Sequence, residues 1–162
     1  MSATVARPDS GARLATVLPL ARRVETERSA AEWFELGCEL EASSPDRARE
    51  AYRRAIEADD RLADAHLNLG CLLHEARELT GAERAYRRAL EIAPDDATAA
   101  FNLGVALEDQ RRTAEAIASY ERAVEGDPDF LDAYHNLVRL HERRGDKAAA
   151  LRILKRLRGR TR

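Results

Sequence analysis

The chain has 162 residues and a formal net charge of −2, which suits one domain and gives no overall attraction to nucleic acid or an anionic membrane. Helix-forming residues dominate, aromatic residues make up only 5%, and the two cysteines do not form a disulfide framework. No segment approaches the ~20 apolar residues of a membrane helix, and no signal peptide is recognisable. We therefore expect an all-helical cytoplasmic protein that does not span a membrane.

The charge is unevenly distributed along the chain. Residues 139–162 contain ten Lys or Arg and two acids, which gives 10 − 2 = +8. Residues 30–138 contain twelve Arg and twenty-four acids, which gives 12 − 24 = −12. An acidic body is therefore followed by a basic C-terminal end.

The N-terminal segment, residues 1–29, contains Pro8, Gly11 and Pro19 and does not share the pattern of the rest of the chain. Two interpretations stay open. The segment is a flexible tail, or Leu14 to Arg28 forms a helix that covers the start of the following region or links to another domain.

A sequence pattern then recurs at a step of thirty-four residues. His66-Leu-Asn-Leu-Gly70 returns as Ala100-Phe-Asn-Leu-Gly104 and as Tyr134-His-Asn-Leu-Val138. An earlier copy begins near Ala30 and is one residue shorter in its turn. A fixed period of this length is typical of solenoid proteins, in which neighbouring repeats stack to bury a continuous core.

Each copy contains two short amphipathic helices, because its apolar and small residues recur at three- and four-residue spacings. Pro94 and Pro128 are predicted to separate consecutive repeats, and Pro45 to begin a helix. Thr80 and Glu83 have the spacing of a capping box for the second helix of their repeat.

Three glycines within predicted helices need a structural reason, because glycine there costs ~1 kcal/mol relative to alanine. We expect the paired helices to approach closely, with each glycine facing an alanine of the partner helix. Tyrosines are expected to fill the space between repeats. The glycines are Gly37, Gly70 and Gly104, the alanines are Ala48, Ala82 and Ala116, and the tyrosines are Tyr52, Tyr86 and Tyr120.

These residues resemble the tetratricopeptide repeat family, whose pattern is a bulky residue, Leu-Gly, a second bulky residue, Ala, an aromatic residue, Ala and Pro. The resemblance implies an all-α, right-handed superhelical solenoid of antiparallel helix pairs, with a concave face lined by the first helices. It divides the chain into an N-terminal segment 1–29, repeats at 30–62, 63–96, 97–130 and 131–158, and a basic tail 159–162.

The fourth repeat departs from the pattern. Val138 replaces the glycine, and Leu154 and Leu157 replace the tyrosine and the following alanine. Either the leucines of its second helix pack inward, or Leu151, Leu154 and Leu157 form a partly exposed interface for another subunit or domain. Solenoids usually cover their last repeat with a polar-faced cap, and an exposed apolar strip marks an interaction site.

Asn68, Asn102 and Asn136 occupy one position in three consecutive repeats, and Glu35 replaces the amide in the first. An amide both donates and accepts hydrogen bonds, so a row of amides suits the backbone of an extended peptide. The row resembles the asparagine ladder of peptide-binding tetratricopeptide proteins. The alternative is that each asparagine bonds only to the neighbouring repeat.

The same geometry places further residues on the predicted groove. Their charge is acidic over repeats two and three and basic at the C-terminal end, so a basic ligand would be complementary unless the face is simply solvated. They are Asp64, Leu67, Cys71, His74 and Glu75, then Thr98, Phe101, Val105, Glu108 and Asp109, then Asp132, His135, Arg139, Glu142 and Arg143.

Chaperone-binding members of the family hold a peptide carboxylate with Lys and Arg on their first helices. The matching positions here carry no cation, so such a carboxylate clamp is not expected. They are occupied by Ala31, Glu35, Asp64 and Thr98.

The sequence contains none of the catalytic motifs that we sought, so neither catalysis nor a cofactor is expected. Cys38, Cys71 and His74 are too far apart on neighbouring helices for a metal site or a disulfide. Lys155 to Arg162 lacks the aromatic residues of a nucleic-acid site, and we expect nucleic acid not to be the main partner.

The predicted function is that of a non-catalytic scaffold or adaptor, which binds a segment of another protein in the groove. Two alternatives remain. The chain self-associates or docks through its apolar C-terminal repeat, or it is an accessory domain of a nucleic-acid regulator.

Overall fold

The structure, a computed structural model, describes residues 28–159. Eight α-helices and no strands occur in this range, in agreement with the predicted all-α class. The predicted N-terminal tail or helix before residue 28 and the tail residues 160–162 lie outside the described part. The helices are α1 (Ala30–Leu40), α2 (Pro45–Ala58), α3 (Ala63–Glu75), α4 (Leu79–Ile92), α5 (Ala97–Asp109), α6 (Thr113–Gly126), α7 (Leu131–Arg143) and α8 (Lys147–Arg158).

The helices form four pairs in a single row. Each odd-numbered helix packs along the helix that follows it, and the second helix of one pair contacts the first helix of the next pair. Helix α3 also touches α5. The odd-numbered helices are called first helices below, and the even-numbered ones second helices.

Polar side chains define several helix starts. The Ser29 hydroxyl accepts the backbone N–H of Glu32 at 3.3 Å, and the Glu32 carboxylate accepts the Ser29 N–H at 2.7 Å, which completes a capping box. Asp96 and Asp146 cap α5 and α8 by accepting a backbone N–H three residues on. Pro45 is the first residue of α2, as predicted.

The capping box predicted at Thr80 is wrong. Arg77 adopts a positive φ of 62°, and the Glu78 N–H donates to the Leu73 carbonyl at 2.8 Å, so the chain turns sharply after α3. Helix α4 therefore begins at Leu79, which leaves Thr80 in its first turn rather than at its cap. The carboxylate of Glu83 bonds elsewhere, to side chains of the next repeat.

Tyrosine rings, rather than the predicted alanines, are the nearest side chains to the glycines. A Cβ atom on Gly70 would lie 2.6 Å from the nearest ring carbon of Tyr86. Tyr86 lies four residues after Ala82 on the same helix face, and its longer side chain reaches across the glycine. The other two glycines face Tyr52 and Tyr120 in the same way, at 2.5 and 2.6 Å.

The buried core runs continuously along the row of pairs. Ala48, Tyr52 and Ala55 pack with Ala65 and Leu72 of the second pair. A larger cluster extends from repeat two to repeat four, and Leu69 packs against both clusters. Neighbouring repeats therefore share their core, as expected for a stacked array.

Tyr134 takes the position in repeat four that Ala100 holds in repeat three, and it is 0% exposed. Its hydroxyl is buried and has no hydrogen-bond partner within residues 28–159. The Arg156 guanidinium lies 5.7 Å from the centre of its ring. An unsatisfied buried hydroxyl costs about 1–3 kcal/mol.

Replacing Gly70 by Ala should lower the free energy of unfolding by about 1–3 kcal/mol, because the new methyl group overlaps a buried ring. This loss is expected although alanine is the better helix former. Urea denaturation followed by circular dichroism measures it. Gly159→Ala is the control, since its Cβ would meet its nearest neighbours at 3.6 Å. A Gly70→Ala variant as stable as the control would contradict the close-packing argument.

Replacing Tyr134 by Phe should raise the free energy of unfolding by about 1 kcal/mol, because it removes an unsatisfied buried hydroxyl and keeps the ring. Tyr52→Phe is the matched control and should be destabilising, since the Tyr52 hydroxyl bonds to Asn68 at 3.1 Å. Thermal denaturation of both variants makes the comparison. A loss of stability in the Tyr134 variant would show that its hydroxyl is satisfied.

Candidate binding face on the first helices

The predicted groove positions lie on one side of the first helices, and side-chain bonds between consecutive first helices connect them. We call this surface the first-helix face. Its polar residues are Glu35, Cys38 and Glu41 at α1, Asp64, Asn68, Cys71, His74 and Glu75 on α3, Asn102, Glu108 and Asp109 on α5, and His135, Asn136, Arg139 and Arg143 on α7.

Tyrosine hydroxyls form part of the floor of this face. The Tyr52 hydroxyl donates to the Glu41 carboxylate, lies 3.4 Å from Cys38 Sγ and accepts Asn68 Nδ2 at 3.1 Å. The Tyr120 hydroxyl donates to Glu108 at 3.3 Å. Burial raises the pKa of both phenols, so they remain neutral hydrogen-bonding groups.

The three asparagines make different bonds. Asn68 Nδ2 donates to Tyr52, and Asn102 Nδ2 donates to Cys71 Sγ at 3.5 Å, so both amides bond to the preceding repeat. Asn136 Oδ1 accepts Arg139 at 3.2 Å. Within the described residues, no group donates to Oδ1 of Asn68 or Asn102. Their carbonyl oxygens therefore remain able to accept hydrogen bonds from another molecule.

Glu108 is neutralised by cations of the last repeat. Arg139 donates to its two carboxylate oxygens at 2.6 and 2.7 Å, and Arg143 donates to it at 3.4 Å. The Glu108 side chain is only 19% exposed. The hydrogen bonds from Arg139 hold the pKa of Glu108 below its usual range, and burial partly opposes this effect.

Asp109 is neutralised from repeat two. His74 Nε2 lies 2.9 Å from its Oδ2 atom, and Arg77 donates to the same atom at 2.7 Å. The hydrogen bond from His74 and the contact with Arg77 lower the pKa of Asp109. The two acids of α5 on this face are therefore engaged within the protein.

The acids over repeats one and two remain available. Glu35, Asp64 and Glu75 are exposed and make no ion pair within residues 28–159. Helices α1 and α3 together contain five carboxylates, 3 + 2, and no Lys or Arg. Asp132 and Glu142 of α7 are also exposed and make no ion pair, but Arg139 and Arg143 share that helix. The unpaired acids that have no cation on the same first helix therefore lie over the first two repeats.

The two cysteines are free thiols, and Cys38 is more exposed than Cys71. Burial raises the pKa of the Cys71 thiol, and the charges of Glu41 and Glu75 raise it further. The thiol is therefore protonated near neutral pH and is a poor nucleophile.

Searches of residues 28–159 for two further kinds of site gave negative results. No group of three or more His, Cys, Asp or Glu side chains is placed to hold a metal ion. None of the helices in this range is long and apolar enough to cross a bilayer.

The remaining predicted residues differ in accessibility. Phe101 is half-buried between Tyr120 and Phe130, with ring centres 5.5 and 5.0 Å away, so it belongs largely to the edge of the core. His135 is exposed on α7. In the last helix, Leu157 packs against the core, Leu154 is half-buried and Leu151 is 57% exposed.

Sequence reasoning missed three participants in this site. It did not identify the hydroxyls of Tyr52 and Tyr120 as polar groups of the face. It also missed Arg77, which lies outside a helix at a positive φ and is thirty-two residues from its partner. The Arg139–Glu108 pair could have been found, because the two residues lie thirty-one apart, close to one repeat length.

A recess of about 500 Å³ lies elsewhere, between second helices α2 and α4. Gly81 lines it and contributes no side chain. The equivalent recess between α4 and α6 has a volume of about 220 Å³. There Glu115 occupies the position equivalent to Gly81, and its carboxylate lies 3.4 Å from Arg87. The larger recess contains none of the predicted site residues.

A family model described as tetratricopeptide repeat matches residues 39–97 and 82–129, and a second model with this description matches residues 107–162. No curated protein sequence matches the chain.

Solved structures share the fold. The crystal structure of MamA has a TM-score of 0.77 at 22% identity over 85% of this chain and 81% of that chain. MamA 41-end from Desulfovibrio magneticus RS-1 has a TM-score of 0.70 at 20% identity over 83% and 79%. The first TPR of Spaghetti (RPAP3), bound to HSP90 peptide SRMEEVD, has a TM-score of 0.69 at 20% identity over 72% and 94%. These similarities confirm the predicted helical solenoid.

Replacing Arg139 by Ala should raise the pKa of Glu108, because it removes the two strongest hydrogen bonds to the charged carboxylate. In the wild type this pKa lies below its unfolded value. The ion pair therefore stabilises the fold above about pH 4.5 and is lost as the pH falls through the folded pKa. Titration of the Glu108 carboxyl by NMR measures the change. Arg143→Ala is the control and should have a smaller effect, since that contact is 3.4 Å long. Equal shifts in the two variants would contradict the assignment.

Proposed function

We propose that this chain, which belongs to the tetratricopeptide repeat family, is a scaffold that binds an extended basic segment of another protein along its first-helix face. The binding region is centred on repeats one and two and extends to Asn102 in repeat three. The observation that supports this proposal is the set of exposed, unpaired carboxylates at Glu35, Asp64 and Glu75.

The distribution of ion pairs favours this position for a basic ligand. Glu108 and Asp109 already accept hydrogen bonds from Arg139, Arg77 and His74, so a basic ligand would have to displace these partners. No such displacement is needed over α1 and α3. Charge complementarity there would increase the association rate and fix the orientation of the ligand.

The asparagine row would contribute contacts with the peptide backbone. Asn68 and Asn102 use Nδ2 to bond to the preceding repeat, which holds each amide in place. The carbonyl oxygens can then accept backbone N–H groups of an extended ligand. Such bonds ignore the ligand's side chains, so specificity would come mainly from the surrounding carboxylates.

The peptide named for the RPAP3 neighbour, SRMEEVD, is acidic. Carboxylate-clamp members of the family use cations for such ligands, but Glu35 and Asp64 occupy two of the matching positions here. The like charges would repel an acidic peptide, so we propose a ligand of the opposite charge.

The experiment measures binding of a fluorescent peptide of about ten residues with alternating Lys and Ser, using anisotropy. Glu35→Gln, Asp64→Asn and Glu75→Gln together should weaken binding about tenfold, since each exposed pair contributes about 0.2–1 kcal/mol. A peptide with Glu in place of Lys should bind much more weakly to the wild type.

The matched control neutralises three exposed acids outside this face, Asp95, Glu121 and Glu125, with the same change in net charge. It should retain binding of the Lys peptide. An equal loss in both variants would mean that only the overall charge attracts the peptide. Unchanged binding in the variant that neutralises Glu35, Asp64 and Glu75 would mean that the ligand binds elsewhere.

A further inference from the structure

The second helix of each repeat has a stripe that the first helix of the next repeat covers. On α6, which packs between α5 and α7, Ile117, Tyr120 and Val124 are 6%, 0% and 0% exposed, and the Tyr120 ring also lies against Gly104 of α5. In α2 and α4 the position of Ile117 is held by Arg49 and Glu83, which pair with Glu78 and Arg112 of the next repeat, so α6 alone among these three helices is apolar there.

Helix α8 is not followed by a covering helix within residues 28–159, and Arg158 takes the place of Val124 in its stripe. One repeat further along, Leu151 and Leu154 take the places of Ile117 and Tyr120. Leu151 is 57% exposed, whereas its counterpart is 6% exposed. Both leucines line an open recess of about 390 Å³ together with Ala150, Lys147 and Glu142.

The side of α8 next to this stripe is already packed. Ala149 and Ala150 are buried, and Ile153 and Leu157 pack against the main core. The uncovered stripe therefore does not result from a loosely packed helix. It is a second apolar side on a helix whose first apolar side holds it in the fold.

Two lysines flank this stripe, in a C-terminal end that carries a net charge of +8 over residues 139–162 although Glu142 lines the same recess. Lys147 and Lys155 lie one turn before and one turn after Leu151, where α6 has Thr113 and Glu121. Both lysines are exposed, and the spacing of 147, 151 and 155 places all three on one face over about 12 Å. A complementary ligand would be a helix with an apolar stripe, flanked by carboxylates that lie about two helical turns apart.

Three other occupants fit less well. Helix α8 of a second copy would place the same lysines next to each other, and their like charges would repel. Helix α1 of a second copy has Glu32 where the covering helices have Ala65, Ala99 and Ala133, all 0% exposed, so the longer side chain does not fit. Residues 1–27 contain four Arg and three acids, 4 − 3 = +1, which is the wrong sign.

We propose that the exposed face of α8 binds an acidic amphipathic helix of another protein, which docks as the first helix of a fifth repeat would. Its Leu or Ala stripe covers Leu151 and Leu154, and its flanking carboxylates pair with Lys147 and Lys155. This site is separate from the first-helix face and uses a ligand of opposite charge.

The probe is a fluorescent helical peptide of about 20 residues with Leu and Ala on one face and Glu at the other positions. Its binding to the whole chain is measured by anisotropy. Leu151→Ser should weaken binding at least about tenfold, because it removes a leucine that the peptide buries. Leu131→Ser is the matched control, since Leu131 is 51% exposed but lies outside the stripe. It should leave binding unchanged.

A charge exchange tests the assigned ligand chemistry. Lys147→Glu with Lys155→Glu should weaken binding of the Glu peptide about tenfold and strengthen binding of a Lys peptide with the same apolar stripe. The Lys peptide is measured with Glu35, Asp64 and Glu75 neutralised in every protein, so that the first-helix face does not contribute.

Two results would overturn the proposal. The first is that the Glu peptide and the Lys peptide bind equally well to protein in which α8 is unchanged. The second is concentration-dependent association of the wild type in sedimentation that Leu151→Ser abolishes, because a second copy would then be the occupant.

Discussion

The contact between a tyrosine ring and a glycine within each of the first three repeats is the interaction on which the remaining structure depends. A side chain on Gly37, Gly70 or Gly104 would overlap the ring. The missing Cβ lets the ring lie across the first helix, where it is almost completely buried. In repeats one and three the hydroxyl of this tyrosine reaches polar groups of the first-helix face. The packing that closes the pair therefore also places polar groups on the first-helix face.

Ion pairs between repeats divide the first-helix face into two regions. Arg139 and Arg143 of repeat four engage Glu108, while Arg77 and His74 of repeat two engage Asp109. The acids of α5 thus join neighbouring repeats, whereas Glu35, Asp64 and Glu75 remain available. Because free charge matters more for ligand recognition than total charge, the region suited to a basic ligand is shifted toward the N-terminal end.

The two ends of the row of helix pairs differ in polarity. At the first helix, Glu32 completes a capping box with Ser29, and Glu32 and Glu39 occupy positions that are apolar and buried in later repeats. That end resembles a polar cap. At α8, Leu151 and Leu154 line an open recess, and Leu151 is 57% exposed within the described range 28–159. The ligands that we propose for the two surfaces therefore have opposite charges.

The sequence by itself determined the repeat period, the helical class and the side of each helix on which the asparagine row lies. These properties depend on local periodicity, because residues three and four apart share a helix face. The tertiary structure alone decided that tyrosine rings lie nearest the glycines, that Arg77 and Arg139 neutralise Asp109 and Glu108, and that Leu157 packs inward while Leu151 is exposed. Each of these outcomes depends on side-chain reach and on how helices stack between repeats. A one-dimensional pattern contains the order of the residues but not those distances.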